Sequence, residues 1–170
     1  MGVKDYVGKA VKVKQTSAFD IKELYKNLRK YVEGRGYGIA ETSYTEKPTQ
    51  SGSKRTNFFW ACSKKVEDYT KLVIEFTFTA ETKEVTVEKE DKTKTLQEGD
   101  VEVVLNTFIS KDLEDDWALK EKSGVSRLLR EIWDKFAKKN KYDSYEEKLQ
   151  KDKDAIIYDI KTYLKMHRFD

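Results

Sequence analysis

Apolar and polar side chains alternate most strictly near the middle of the chain, over residues 71–80. Because successive side chains of a β-strand point to opposite faces, this pattern predicts a strand with one apolar face and one mainly polar face. The predicted apolar face carries Leu72, Ile74, Phe76, Phe78 and Ala80. A strand of this kind is typical of an antiparallel sheet that is covered on one face only, so other elements must supply the cover.

Weaker alternation predicts further strands before and after this one. They cover residues 9–16, 37–46, 56–65, 83–90 and 101–109. Turn residues separate several of them, at 47–54, 66–68 and 98–100, and the first of these turns is predicted to be the most mobile. Consecutive strands joined by short turns normally pair as antiparallel neighbours, so one antiparallel sheet is expected.

Three segments instead repeat their apolar residues every three or four positions, which predicts amphipathic helices over 20–33, 125–138 and 144–167. Asp20 is followed three residues later by Glu23, and Ser144 by Glu147, the spacing of a capping box. Gly34 and Gly36 are predicted to end the first helix by adopting a left-handed conformation.

These elements predict a single α+β domain, residues 1–170. Its curved antiparallel sheet of about five to six strands is covered on one face by helices, including a long C-terminal helix. The order of elements resembles the helix-grip fold of the START and Bet v 1-like superfamily, in which a curved sheet grips a long C-terminal helix and often encloses an apolar cavity. That family usually has two helices after the first strand, whereas this chain has one, and the helix at 125–138 is additional. Three helices for one sheet face favour a filled interior and a protein partner over a ligand cavity.

The composition of the chain says more about the cellular environment of the protein than about its function. Charged residues make up 38% of the chain, the formal net charge is +3, and residues 81–121 carry six basic and thirteen acidic side chains. The single cysteine excludes an intrachain disulfide and favours a cytoplasmic protein. No run of about eighteen apolar residues is present, so no membrane span is expected. Abundant Lys and Glu with one proline are compatible with a thermophilic source.

The residues that most often carry catalysis are scarce. One histidine, His167, and one cysteine, Cys62, cannot form a Cys/His zinc site within one chain. Their simplest interpretations are a helix-end residue and a buried small hydrophobe. The acidic segment 112–116 offers oxygen ligands for a divalent cation but lacks the glycine and distal glutamate of an EF-hand loop. Asp152 and Asp159 are either paired carboxylates or boundary residues of the last helix. We therefore expect no cofactor, no metal site and no enzymatic activity.

The first functional hypothesis is a non-enzymatic binding domain. It acts through a protein partner or through a pocket for an apolar small molecule between the sheet and the last helix. The candidate pocket residues are Phe58, Trp60, Phe76, Phe78 and Ile160. The simpler interpretation is that these side chains fill the core.

The alternative is a nucleic-acid-associated protein that uses basic helix surfaces. The residues that would contact phosphate are Lys26, Arg29, Lys30, Lys138 and Lys139. Interleaved acidic residues favour a surface crossed by ion pairs instead. A hydrolase or a metal-dependent enzyme at the acidic segment is the third hypothesis and has the least support, since no complete catalytic set is visible.

Overall fold

The computed structural model describes residues 3–111 and 124–166, and for residues 89, 124–138 and 166 it describes the backbone alone. Within these residues the chain forms six strands and two helices. The strands are β1 Val3–Tyr6, β2 Val11–Phe19, β3 Gly38–Pro48, β4 Lys54–Glu67, β5 Thr70–Lys89 and β6 Lys92–Lys111. The helices are α1 Ile21–Glu33, between β2 and β3, and α2 Gly124–Met166, after β6.

All six strands belong to one antiparallel sheet, in which β1 pairs with β6 and the order continues through β5, β4 and β3. β2 pairs with the same edge of β6 as β1, at earlier residues of β6. Between β1 and β2 the backbone N–H of Val7 donates to the carbonyl of Thr107 at 2.9 Å. The Thr107 hydroxyl donates back to the Val7 carbonyl at 2.7 Å. β1 was not predicted, and with β2 it forms one interrupted edge strand.

The inner face of the sheet and the two helices enclose the hydrophobic core. All five residues of the predicted apolar face of 71–80 are buried, and four of them are completely inaccessible. From the helices, the core receives Leu24, Leu28 and Val32 of α1 and Leu149, Ile156, Ile160 and Leu164 of α2. The predicted α+β class, with an antiparallel sheet contacted by a long C-terminal helix, is confirmed.

Two predicted boundaries in the sheet are wrong. The strands predicted at 71–80 and 83–90 form the single strand β5, and the turn predicted at 98–100 lies inside β6. A glycine is needed at position 99 because β5 and β6 approach each other closely there. A Cβ on Gly99 would lie 2.0 Å from the carbonyl oxygen of Glu81 on β5. The chain instead reverses direction between β5 and β6 at Glu90 and Asp91. Their φ angles are 51° and 61°, and a two-residue type I′ hairpin loop requires positive φ at both residues.

The last two predicted helices are one. α2 runs without interruption through 139–143, where the sequence has no glycine or proline. A capping box stabilises a helix only where backbone N–H groups lack partners, and inside a continuous helix the preceding turn supplies those partners. The Ser144 and Glu147 spacing therefore does not begin a helix.

The predicted start of the first helix is correct, and its predicted end needs one change. The Asp20 carboxylate accepts hydrogen bonds from the backbone N–H groups of Lys22 and Glu23 at 2.9 and 3.3 Å, as an N-cap residue does. At the other end Gly34 keeps a right-handed conformation with φ of −62°, and only Gly36, with φ of +87°, is left-handed.

Candidate functional site

The five candidate pocket residues lie together in the core. Phe58, Trp60, Phe76, Phe78 and Ile160 are each at most 2% exposed. The rings of Phe58 and Phe78 stack with centroids 4.4 Å apart, and Trp60 lies 4.8 Å from Phe58. In this region the interior is therefore occupied by the side chains themselves, which contact one another at normal aromatic distances.

This aromatic packing continues outward between α1 and the edge strand β3. Tyr25 of α1 contacts Phe58 and Trp60 edge-on, with centroids 5.2 and 5.1 Å apart. The Tyr25 hydroxyl and the Trp60 indole N–H both donate to Glu41 Oε2, at 2.6 and 2.8 Å. These two hydrogen bonds, with Tyr25 the larger influence, lower the pKa of Glu41. The polar ends of the aromatic cluster are thus satisfied by one carboxylate.

An open cleft of about 570 Å³ lies at one end of the inner face, between the first residue of α1, the β3–β4 turn and the facing parts of β5 and β6. We call it the α1 cleft. It is lined by Ile21, Glu46, Lys47, Pro48, Gly52, Ser53, Lys54, Thr56, Thr82, Lys83, Glu84 and Gln97. None of the five predicted pocket residues lines it, and none of the described side chains of α2 does. A cleft of this size therefore lies outside the predicted position between the sheet and the last helix.

Two threonines in the α1 cleft are almost fully buried, and among the described residues their hydroxyls have no protein partner. Thr56 is 1% exposed and Thr82 is 3% exposed. In the part of the chain that the structure describes, neither hydroxyl makes a hydrogen bond to protein, whereas every buried polar side-chain atom shut off from solvent does have a partner. The small surface that these threonines keep therefore includes their hydroxyl oxygens. Since both residues line the cleft, the cleft is the space that the hydroxyls reach.

Three further polar side chains around the α1 cleft, those of Glu46, Lys54 and Gln97, are held in place. The Lys54 ammonium pairs with Glu46 Oε2 at 2.5 Å, and the Tyr44 hydroxyl donates to Glu46 Oε1 at 2.7 Å. The hydrogen bond from Lys54 and then that from Tyr44 lower the pKa of Glu46. Across the cleft, Gln97 Oε1 accepts the backbone N–H of Ile21 at 2.9 Å, which ties the start of α1 to β6.

Cys62 and the two aspartates of α2, Asp152 and Asp159, lie in surroundings that indicate structural rather than catalytic roles. Cys62 is fully buried, and burial raises the pKa of its thiol to about 12, so the thiol is not a nucleophile near neutral pH. Asp152 accepts a hydrogen bond from the Tyr37 hydroxyl at 2.8 Å, and Asp159 pairs with Arg35 at 3.0 Å. Each aspartate therefore anchors α2 to the segment that follows α1, and they do not form a carboxylate pair.

The described basic residues of the nucleic-acid alternative lie on both helices. Lys26 and Lys30 are exposed on α1, while Arg29 is engaged by Glu33 at 3.1 Å. Lys139 is exposed on α2, about 20 Å along the helix axis from Asp152, where α2 contacts the segment after α1. The side chain of Lys138 lies outside the described residues. The nucleic-acid alternative stays a prediction.

The predicted acidic segment 112–116 and His167 lie outside the described residues. Within residues 3–111 and 124–166, no three His, Cys, Asp or Glu side chains come close enough together to hold a metal ion. Over those same residues, neither helix contains a stretch apolar enough to cross a bilayer.

The chain matches no protein-family model, no curated protein and no solved structure in the comparisons made.

Sequence reasoning missed the cleft residues Thr56, Thr82 and Gln97. A usable signal was present, because Thr56 and Thr82 continue the two rows of inward-facing positions that begin with Phe58 on β4 and Ala80 on β5. A threonine at the inward end of an apolar row is a polar group placed toward the interior. The cleft itself depends on where α1 begins above the sheet, and the pattern of apolar positions does not contain that information.

Proposed function

We propose that this protein is a non-enzymatic binding domain of helix-grip architecture that takes up a small molecule in the α1 cleft. The architectural part is supported by the six-stranded antiparallel sheet, the helix after the first strands and the long helix that contacts the sheet. The binding part is carried by one observation: two nearly buried threonine hydroxyls, Thr56 and Thr82, reach an open cleft without a protein partner.

This observation favours a ligand because buried polar groups are normally hydrogen-bonded in folded proteins. Because the cleft is open, water can supply this hydrogen-bond partner in the free protein, and a ligand that displaces the water must supply it in turn. The volume of the cleft, about 570 Å³, lies within the usual range of about 300–1,000 Å³ for small-molecule sites. The packed aromatic interior offers no comparable group, since Phe58, Phe76 and Phe78 have no polar atoms.

An NMR titration with a library of small polar, charged and apolar molecules tests the proposal. We expect at least one class to shift the methyl and amide signals of Ile21, Thr56 and Thr82 in a saturable way. Ile74 and Ile160, both fully buried in the core, are the internal controls and should shift little. The proposal fails when no compound shifts the cleft signals at millimolar concentration, or when the shifts lie on another surface.

A further inference from the structure

We infer that the ligand of the α1 cleft is a small uncharged molecule that carries several hydroxyl groups, such as a sugar or a cyclic polyol. This inference rests on the proposed function, because it names the chemical class that the same cleft would bind. It is argued from the charge of the cleft, from its free hydrogen-bonding groups and from its two apolar lining residues.

The charges that face the cleft are largely compensated. Glu46 and Lys54 neutralise each other at 2.5 Å. Lys47 and Lys83 directly follow Glu46 and Thr82 in their strands, so their side chains point toward the opposite face of the sheet. Among the lining residues on the inward face of the strands, Glu84, which is exposed, is the one charged group besides that pair. A phosphate or carboxylate ligand normally needs a cluster of unpaired cations, and the inward-facing part of the lining does not provide one.

Three of the free polar side chains of the cleft are neutral, namely those of Thr56, Thr82 and Gln97. A threonine hydroxyl both donates and accepts hydrogen bonds, and so does each hydroxyl of a sugar. Gln97 adds a donor: its Oε1 is occupied by the N–H of Ile21, whereas its Nε2 makes no hydrogen bond within the described residues. Thr56, Thr82 and Gln97 therefore offer a combination of donors and acceptors without net charge, which matches a hydroxyl-rich molecule.

Two residues of the lining are apolar. Ile21, the first residue of α1, is half-buried, and Pro48 ends β3 beside the turn. These two side chains can contact the C–H groups of a sugar ring while its hydroxyls face the threonines. Two apolar residues are too few to favour a fatty acid or another wholly apolar ligand over a polar one.

Glucose and myo-inositol, with matched charged analogues, provide the test. The NMR titration is repeated with glucose, myo-inositol, glucose 6-phosphate, glucosamine and decanoate. We expect the neutral polyols to shift Ile21, Thr56 and Thr82, and the phosphate and amine analogues to bind more weakly than glucose. The inferred class is wrong when a charged analogue or decanoate binds in the cleft more tightly than the neutral polyols. The proposed function itself fails only when no compound of any class binds there.

Three threonine variants separate recognition from folding. Thr56→Val and Thr82→Val each remove a hydroxyl at nearly constant volume, and each should weaken polyol binding about five- to tenfold. Thr82→Ser keeps the hydroxyl and should retain binding. The matched control is Thr70→Val, since Thr70 is 4% exposed at the first residue of β5 and does not line the cleft. Unchanged polyol affinity in both cleft valine variants would overturn the inference.

Discussion

The two ends of the inner face of the sheet differ, although β4 and β5 build both. Toward one end, Trp60 and Phe76 are completely buried, and their rings contact each other with centroids 5.5 Å apart. Toward the other end, Thr56 and Thr82 are nearly as buried but have hydroxyls without a protein partner in the described part of the chain. Burial alone therefore does not distinguish a packed core from a candidate binding surface, whereas unpaired polar groups that line a cleft do.

The largest expected effect is in the aromatic end. Phe76→Ala should lower the free energy of unfolding by about 3–5 kcal/mol, because it removes a fully buried ring and leaves a cavity. Urea denaturation followed by tryptophan fluorescence measures the change. A loss below about 1 kcal/mol would mean that this end of the face is not tightly packed, and the contrast with the cleft would disappear.

The next effect is expected beside the cleft, where β5 and β6 approach closely. Gly99→Ala should cost about 1–3 kcal/mol of stability, because its Cβ would lie 2.0 Å from the carbonyl oxygen of Glu81 and the strands must separate. Gly38→Ala is the matched control, since its Cβ would meet the Ser63 carbonyl oxygen at an ordinary 3.8 Å. Thermal unfolding of the two variants gives the comparison. Equal melting temperatures would contradict the close approach at Gly99.

A smaller, pH-dependent effect is expected at the Glu46–Lys54 pair. The pKa of Glu46 is lower in the folded protein than in the unfolded chain, so its contribution is present above the unfolded value of about 4.5 and is lost as the pH falls through the folded value. Glu46→Gln should therefore cost about 0.2–1 kcal/mol at pH 7 and almost nothing in strong acid. Urea denaturation at pH 7 and pH 3 checks this. A constant difference at both pH values would show that the pair is not its cause.

The smallest expected effect on stability is at Thr56. A variant without its hydroxyl that is as stable as the original protein would indicate that the hydroxyl has no protein partner. Thr56→Val should leave stability within about 0.5 kcal/mol of the original protein or raise it, because no hydrogen bond to protein is lost. Thr107→Val is the contrasting variant, since Thr107 is also 1% exposed but donates to the Val7 carbonyl at 2.7 Å. The free energy of unfolding of Thr107→Val should be lower by about 1–3 kcal/mol. Similar losses in both variants would show that Thr56 has a structural partner after all.

Much of the sheet and the start of α1 could be predicted from the sequence because both depend on local patterns. Alternation over 71–80 identified the inward face of β5, and Asp20 identified the N-cap. The continuity of β5 and α2 could not be derived in the same way. In the sequence Gly99 resembles a turn residue. In the structure, however, glycine is required there because the backbone of Glu81 on a neighbouring strand leaves no space for a Cβ. The α1 cleft is likewise formed by segments that meet only after folding.

The pairing of β2 with β6 also has a consequence for synthesis. Val11 lies opposite Leu105, so most of the chain between them must be made before β2 can pair. β3, β4 and β5 can form hairpins with their neighbours as soon as they are complete, whereas β2 must wait as an unpaired edge. Lys9, Lys12 and Lys14 are exposed on and beside that edge. Charged edge residues oppose association with other chains. On the ribosome, these lysines would keep the waiting strand from pairing with another nascent chain.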